Sequence, residues 1–312
     1  MNEILNATVP VFALILVGYV CGARGILGAG AVDALNRFVM YLALPALLFQ
    51  AMAASKLSDL ANPGLLLAFG GGVIVTFAIS FAFDMRRYGH LTTASIDGLA
   101  ASYPNVGFMG APLCLIVFGE KSLVPVALAA FVTICLLMTV SIVIIELDRS
   151  ENSIALWPTV RPILWNLAKN PLVFAPLLGL AVSALGLNVP SAFDRTFNLL
   201  GDASSPCALV AIGLFLAEQQ VLGDRITVGR IVGLKLLVQP VVTAFIVLVL
   251  FPTTAIWSHA IILLSALPVG TGPFMLAKMY DQEPAVASRS ILLSTIGSLV
   301  TISALIVLFE HA

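Results

Sequence analysis

Apolar residues run in long blocks along this chain, with polar and charged residues gathered in short gaps between them. A helix needs roughly 20 apolar residues to cross a bilayer. On that measure the blocks predict spans at 4–23, 34–53, 63–83, 94–118, 123–145, 170–188, 195–217, 230–250, 258–279 and 287–308. Two blocks are broken by Pro and Gly at matching places: Ser102-Tyr103-Pro104-Asn105-Val106-Gly107 in the fourth and Leu267-Pro268-Val269-Gly270-Thr271-Gly272 in the ninth. A helix in hydrocarbon satisfies its own backbone, so unwound backbone at membrane depth survives where protein or a watery cavity covers it. Breaks at corresponding positions of two halves point to the substrate site of a secondary transporter.

Composition agrees with the pattern. Hydrophobic residues make up 60% of the chain, charged residues 10%, and mean hydropathy is +1.07, against roughly 25% charged residues in soluble domains. The fold class is therefore an all-α integral membrane protein surrounded by lipid. A net charge of -1 gives no support for a nucleic-acid partner. Retained Lys and Arg mark the cytoplasmic side. Lys56, Lys121 and Arg195 fall on one side of the ten spans, and the other twelve of the 15 cations on the opposite side. Both termini are thus expected outside. The first span carries Glu3 and no Lys or Arg before its apolar run, so it reads as a retained helix rather than a secretory signal.

The longest gap lies mid-chain, giving a first unit at 1–146, a cytoplasmic loop at 147–169 and a second unit at 170–312. Trp157, Arg161 and Trp165 in that loop suit an interfacial helix. Five spans per half make the second half insert upside down, the arrangement of inverted repeats. Pro10 and Pro171 are 161 positions apart, Pro45 and Pro206 also 161, and Pro104 and Pro268 164. Spans four and nine then run in opposite directions and cross where each is broken.

At such a crossing the second half-helices begin near Val106-Gly107 and Thr271-Gly272. Each N-terminus carries roughly +0.5 elementary charge and unpaired N–H donors, which suits an anion without Lys or Arg. Asn105 either contacts the ligand or caps its half-helix. Span seven contributes Asp202, Ser204, Ser205 and Pro206. An intramembrane acid is a candidate for proton or sodium coupling, although Asp202 stands near the outer end. The two serines line the site or bond to backbone freed by Pro206, while Pro45 kinks the symmetric helix. Lys235 either snorkels to the interface or meets an incoming anion. Cys21, Cys114, Cys135 and Cys207 show no metal-ligand spacing, and His90, His259 and His311 are scattered at loops and the C-terminus. Neither a metal nor a cofactor is expected, and no phosphate-binding Gly-x-x-x-x-Gly-Lys-Ser/Thr motif occurs.

The run Leu267-Pro268-Val269-Gly270-Thr271-Gly272-Pro273-Phe274-Met275-Leu276-Ala277-Lys278-Met279-Tyr280 resembles the ninth span of the auxin efflux carrier family, which includes plant auxin carriers and bacterial permeases for malonate and related acids. Pro104-Asn105-Val106-Gly107-Phe108-Met109-Gly110-Ala111-Pro112-Leu113 is similar to that family's fourth-span crossover. The resemblance extends over the whole chain. It implies a scaffold bundle and a crossover bundle that move against each other, with substrate at the crossing. Asn105, Gly107, Pro268, Gly270 and Thr271 are its crossover residues, and a homodimer through the scaffold fits it. The chain lacks the long hydrophilic central loop of many plant members.

The expected function is a secondary carrier of a small organic anion such as malonate, in a bacterial inner membrane. An anion channel and an exporter of auxin-like aromatic acids are the alternatives. No His-Glu-x-x-His or comparable catalytic constellation favours an enzyme.

Overall fold

A computed structural model describes residues 2–28, 30–54, 63–149, 169–218, 224–282 and 284–310. Among these residues every regular element is helical. In chain order they are α1 (Asn2–Ala23), α2 (Ala31–Ala54), α3 (Pro63–Tyr88), α4 (Leu91–Ser102), α5 (Val106–Phe118), α6 (Glu120–Arg149), α7 (Pro171–Ala184), α8 (Ser191–Glu218), α9 (Arg225–Leu250), α10 (Ala255–Ser265), α11 (Gly272–Met279) and α12 (Ala285–Glu310). Six of them, α2, α3, α6, α8, α9 and α12, are long and apolar enough to cross a membrane. The interfacial segment with Trp157, Arg161 and Trp165 lies outside the described residues, as does Lys56.

The fourth and ninth apolar blocks are each two helices, α4 with α5 and α10 with α11. Several helices run past the apolar blocks that predict them. α3 continues to Tyr88, so Asp84 is inside it and fully buried rather than beyond its end. Asn170 caps α7 by accepting from the Leu172 N–H at 3.0 Å. The Asp148 carboxylate on α6 accepts from the Thr92 N–H and hydroxyl at the start of α4.

Proline shapes the long spans more subtly than by kinking them. Val39–Ala43, Val106–Gly110 and Leu234–Val238 are wide π-turns, and Pro45, Pro112 and Pro240 each follow one within two residues. Proline has no N–H and its ring displaces the carbonyl four residues back, so a ladder that slips by one residue absorbs the conflict. The kink expected at Pro45 therefore takes the form of a widened turn just ahead of it.

Two bundles interleave the chain's halves. In one, α1 packs along α8 and α7 along α2, with α2 and α8 also touching. Contact there is close because glycine faces backbone: a Cβ at Gly213 would strike the Ile15 carbonyl, one at Gly18 the Val210 carbonyl, and one at Gly179 the Phe49 carbonyl. Small residues are how helices associate in lipid, where apolar burial drives little. In the other bundle α3 packs on α4, α9 and α10, and α12 on α9. The described cysteine thiols are free, and Cys114 is buried as a small apolar group.

Gly213→Leu should lower the stability of the detergent-solubilised protein by about 1–3 kcal/mol, the usual cost of overpacking. Gly229→Leu is the matched control, since its Cβ would meet nothing within 4 Å. Thermal melting of both variants checks the difference.

Candidate functional site at the helix crossing

The two breaks meet. Pro104 and Val269 form an isolated antiparallel bridge, in which the Asn105 N–H donates to the Pro268 carbonyl and the Gly270 N–H to the Tyr103 carbonyl, each at 2.9 Å. Proline supplies no N–H at 104 or 268, so the neighbouring residues carry both donors. The Val269 N–H points the other way and donates to the Ser294 hydroxyl of α12 at 3.0 Å. Glycine is required on the α11 side by proximity: a Cβ at Gly270 would lie 2.9 Å from the Tyr103 ring and one at Gly272 2.6 Å from it.

Four helix ends converge here. α5 starts at Val106 and α11 at Gly272, so both N-termini open beside the bridge, while α4 ends at Ser102 and α10 at Ser265. Asn105 is 5% exposed, and its carbonyl accepts from the Met109 and Gly110 N–H groups. Its side chain makes no capping hydrogen bond, so the capping alternative is not what the structure adopts. Val106, Gly270 and Gly272 are buried, and Gly107 and Thr271 are half-buried. α8 packs directly on the Val106–Gly110 turn, and a Cβ at Gly107 would touch Leu44 of α2.

The two C-terminal ends are served by one helix. Lys235 on α9 is fully buried and donates to the Ser265 carbonyl at 2.7 Å, and Gln239, one turn on and also fully buried, donates to the Ser102 carbonyl at 3.3 Å. This corrects the expectation that Lys235 snorkels. Among the described residues no carboxylate pairs with it. The negative end of α10 offsets the cost of burying the ammonium instead. Gln239 was missed from sequence, although Lys235, Gln239 and Thr243 recur every four residues in an otherwise apolar block. His259, expected in a loop, lies within α10 and stacks on Phe309 with ring centroids 4.3 Å apart.

Between α2, α8 and the α5/α6 and α9/α10 turns is a cavity of about 830 Å³, lined by none of the crossing residues. Leu47, Gly201, Asp202 and Leu115 line it, and Gln50, Glu120, Lys121, Asp194 and Trp257 surround its polar rim. Asp202 is exposed in its wall. Ser204, two residues further along α8, is fully buried with a hydroxyl that makes no hydrogen bond, Ser205 is half-buried, and Pro206 is exposed. The Gln50 amide ties α2 to α8 by donating to the Asp194 carbonyl and carboxylate at 3.1 Å. No cluster of His, Cys, Asp and Glu able to hold a metal occurs among the described residues.

The family described as membrane transport protein matches residues 3–306. The chain belongs to the auxin efflux carrier family of membrane transport proteins. It is 30% identical to the "Putative malonate transporter" of Rhizobium meliloti (strain 1021), over 99% of this chain and 97% of that protein. It is 25% identical to the "Uncharacterized transporter YfdV" of Escherichia coli (strain K12), over 94% and 93% of the two chains. The plant protein named "Auxin efflux carrier component 8", from Arabidopsis thaliana, is 22% identical over 96% of this chain and 95% of its own length. The family member described here is a transporter and not an enzyme.

Gln239→Leu should destabilise the protein by roughly 1–3 kcal/mol, because the Ser102 carbonyl at a buried helix end loses its side-chain donor. Thermal melting in detergent measures this, and Gln239→Glu, which also lacks the amide donor when ionised, should be no better.

Proposed function

We propose that this transporter is a secondary carrier of a small organic anion, with malonate or a similar carboxylate held at the crossing. The observation that carries this reading is the paired bridge at Pro104 and Val269, which sets the N-termini of α5 and α11 side by side. The Asn105, Val106 and Gly270 N–H groups donate within the crossing, so what two such ends offer one carboxylate is the later first-turn N–H groups and positive partial charge. Asn105, Val106, Gly107, Gly270, Thr271 and Gly272 are the binding residues on this reading, with Ser204 and Ser205 contributed by α8, which packs on the Val106–Gly110 turn. Pro104 and Pro268 hold the two breaks open. The full-length match to a protein named as a malonate transporter adds support for the substrate class.

The ten-span arrangement of two inverted five-helix repeats is part of the same proposal. Exchanging each helix for its counterpart five spans away turns the α1–α8 contact into the α7–α2 contact, and both are extensive. α1, α2, α7 and α8 would form the scaffold, also the surface for a homodimer. The remaining helices would form the bundle that moves. By the distribution of Lys and Arg, the cavity opens outward in a bacterial inner membrane, with both termini outside. At about 100 mV, inside negative, each uncompensated negative charge leaving gains roughly 2.3 kcal/mol. Uptake of a dianion therefore needs a coupled proton or sodium ion, and Asp202 offers a carboxylate to a cation entering the cavity.

In proteoliposomes on a solid-supported membrane, rapid addition of malonate should give a saturable current or, in an electroneutral cycle, saturable labelled uptake. Succinate, malate and indole-3-acetate define selectivity. Asn105→Ala should abolish the signal with folding intact, and a normal signal from that variant would refute the site. Conductance that never saturates would favour a channel.

A further inference from the structure

Below the crossing, where α3, α4 and α9 pack together, charged side chains meet inside the bundle. Asp84 of α3 is fully buried and pairs with the Arg230 guanidinium of α9, whose side chain is 15% exposed. Arg230 also lies over the Phe83 ring, 4.4 Å from its centroid. Asp97 of α4 is 6% exposed, on the helix that packs against the Asp84-bearing α3. Ser80, one turn before Asp84, donates to the Asp97 carbonyl at 3.4 Å and fixes α4 against α3.

The pairing is incomplete. The second oxygen of the fully buried Asp84 accepts no hydrogen bond, and Nε and Nη1 of Arg230 donate none. Asp97 forms no ion pair among the described residues. Several other charges on the surrounding helices have partners of their own. Arg87 pairs with Asp224 at 3.4 Å, Asp148 caps α4, Glu146 accepts from the Tyr280 hydroxyl and Arg149 donates to the Tyr280 carbonyl. Arg289 stands on α12, which packs against the α9 end that bears Arg230.

With both carboxylates ionised and one guanidinium, the cluster carries one net negative charge in a desolvated place. One proton makes it neutral, the form that burial favours. Asp84 is fixed by Arg230, so the proton's place is on Asp97. That residue sits five positions before the end of α4, about 8 Å along the helix from the crossing, on an element of the bundle assigned to carry substrate.

We propose that the buried Asp97, rather than the exposed Asp202 of the cavity wall, carries the coupled proton through the transport cycle, with the Asp84–Arg230 pair as its fixed electrostatic neighbour. The proposal rests on the carrier function. An Asp97 carboxylate takes one proton from the water of one side, travels with the loaded bundle as the neutral acid, and releases that proton to water on the other side. Substrate exchange needs no release of the proton, whereas net transport does.

The test uses the full chain in pyranine-loaded proteoliposomes, with malonate as the probe and protein-free vesicles as the blank. The wild type should acidify the lumen as malonate enters and should also exchange labelled malonate by counterflow. Asp97→Asn should keep counterflow but lose the roughly tenfold accumulation per pH unit of imposed gradient that one coupled proton supplies, and its accumulation should no longer vary with pH. Asp97→Glu should restore both. Acidification by Asp97→Asn at the wild-type rate, or wild-type malonate entry without acidification, overturns the coupling role and leaves the carrier function standing. Absence of counterflow in the wild type overturns the carrier function, and the coupling role with it.

Discussion

Two main-chain hydrogen bonds, from Asn105 N–H to the Pro268 carbonyl and from Gly270 N–H to the Tyr103 carbonyl, are what the interior of this protein depends on. A helix may stop in the middle of a membrane only if the released backbone finds partners within the protein. Here each break is the other's partner. Once the bridge exists, four helix ends must lie together, two offering donors and two needing them. The surrounding polar residues answer that demand: Lys235 and Gln239 reach the carbonyl ends, Ser294 takes the remaining amide, and Tyr103 fills the space left by two glycines. The donor ends remain, and the proposed anion site is built on them.

The two bundles are held together by different physics. Between α1 and α8, and between α2 and α7, glycine lets backbones approach until carbonyls nearly meet Cα atoms, and such surfaces have one good fit. The other bundle contains the buried lysine, glutamine, aspartates and arginine, whose energies depend on charge and hydrogen-bond direction. Contacts between the two include an aromatic pair, Phe215 against Phe274 with ring centroids 5.5 Å apart. Apolar surfaces of that kind can slide without leaving a polar group unsatisfied.

The crossing was legible in the sequence because Pro and Gly interrupt apolar blocks that have no other reason to be broken, and the convergence of Val106 and Gly272 follows from the opposed directions of the two blocks. Lys235 was visible, but its partner was not. A snorkelling lysine and one that caps a half-helix look identical until a carbonyl 30 positions away is placed beside it. Asp84 and Asp97 were overlooked because both fall within a turn or so of the edge of an apolar block, where a charge ordinarily reaches water. Their burial comes from helices that overrun those blocks, and the Asp84–Arg230 pair joins residues 146 positions apart. Asp202 was expected near the outer end of its span; α8 begins earlier, at Ser191, so the residue lies about three turns inside it and is exposed because a cavity opens there.

The π-turns ahead of Pro45, Pro112 and Pro240 give the chain a vernier. Each adds one residue to a turn, so everything after it is rotated by roughly 100° relative to an unbroken helix. In α9 that turn, Leu234–Val238, contains Lys235 and immediately precedes Gln239. The two donors therefore owe their aim at two separate helix ends to a register that counts residues rather than names them. Such segments can tolerate exchange of one apolar side chain for another, yet a single insertion or deletion would turn the polar face toward lipid. Sequence length there is under tighter constraint than sequence identity.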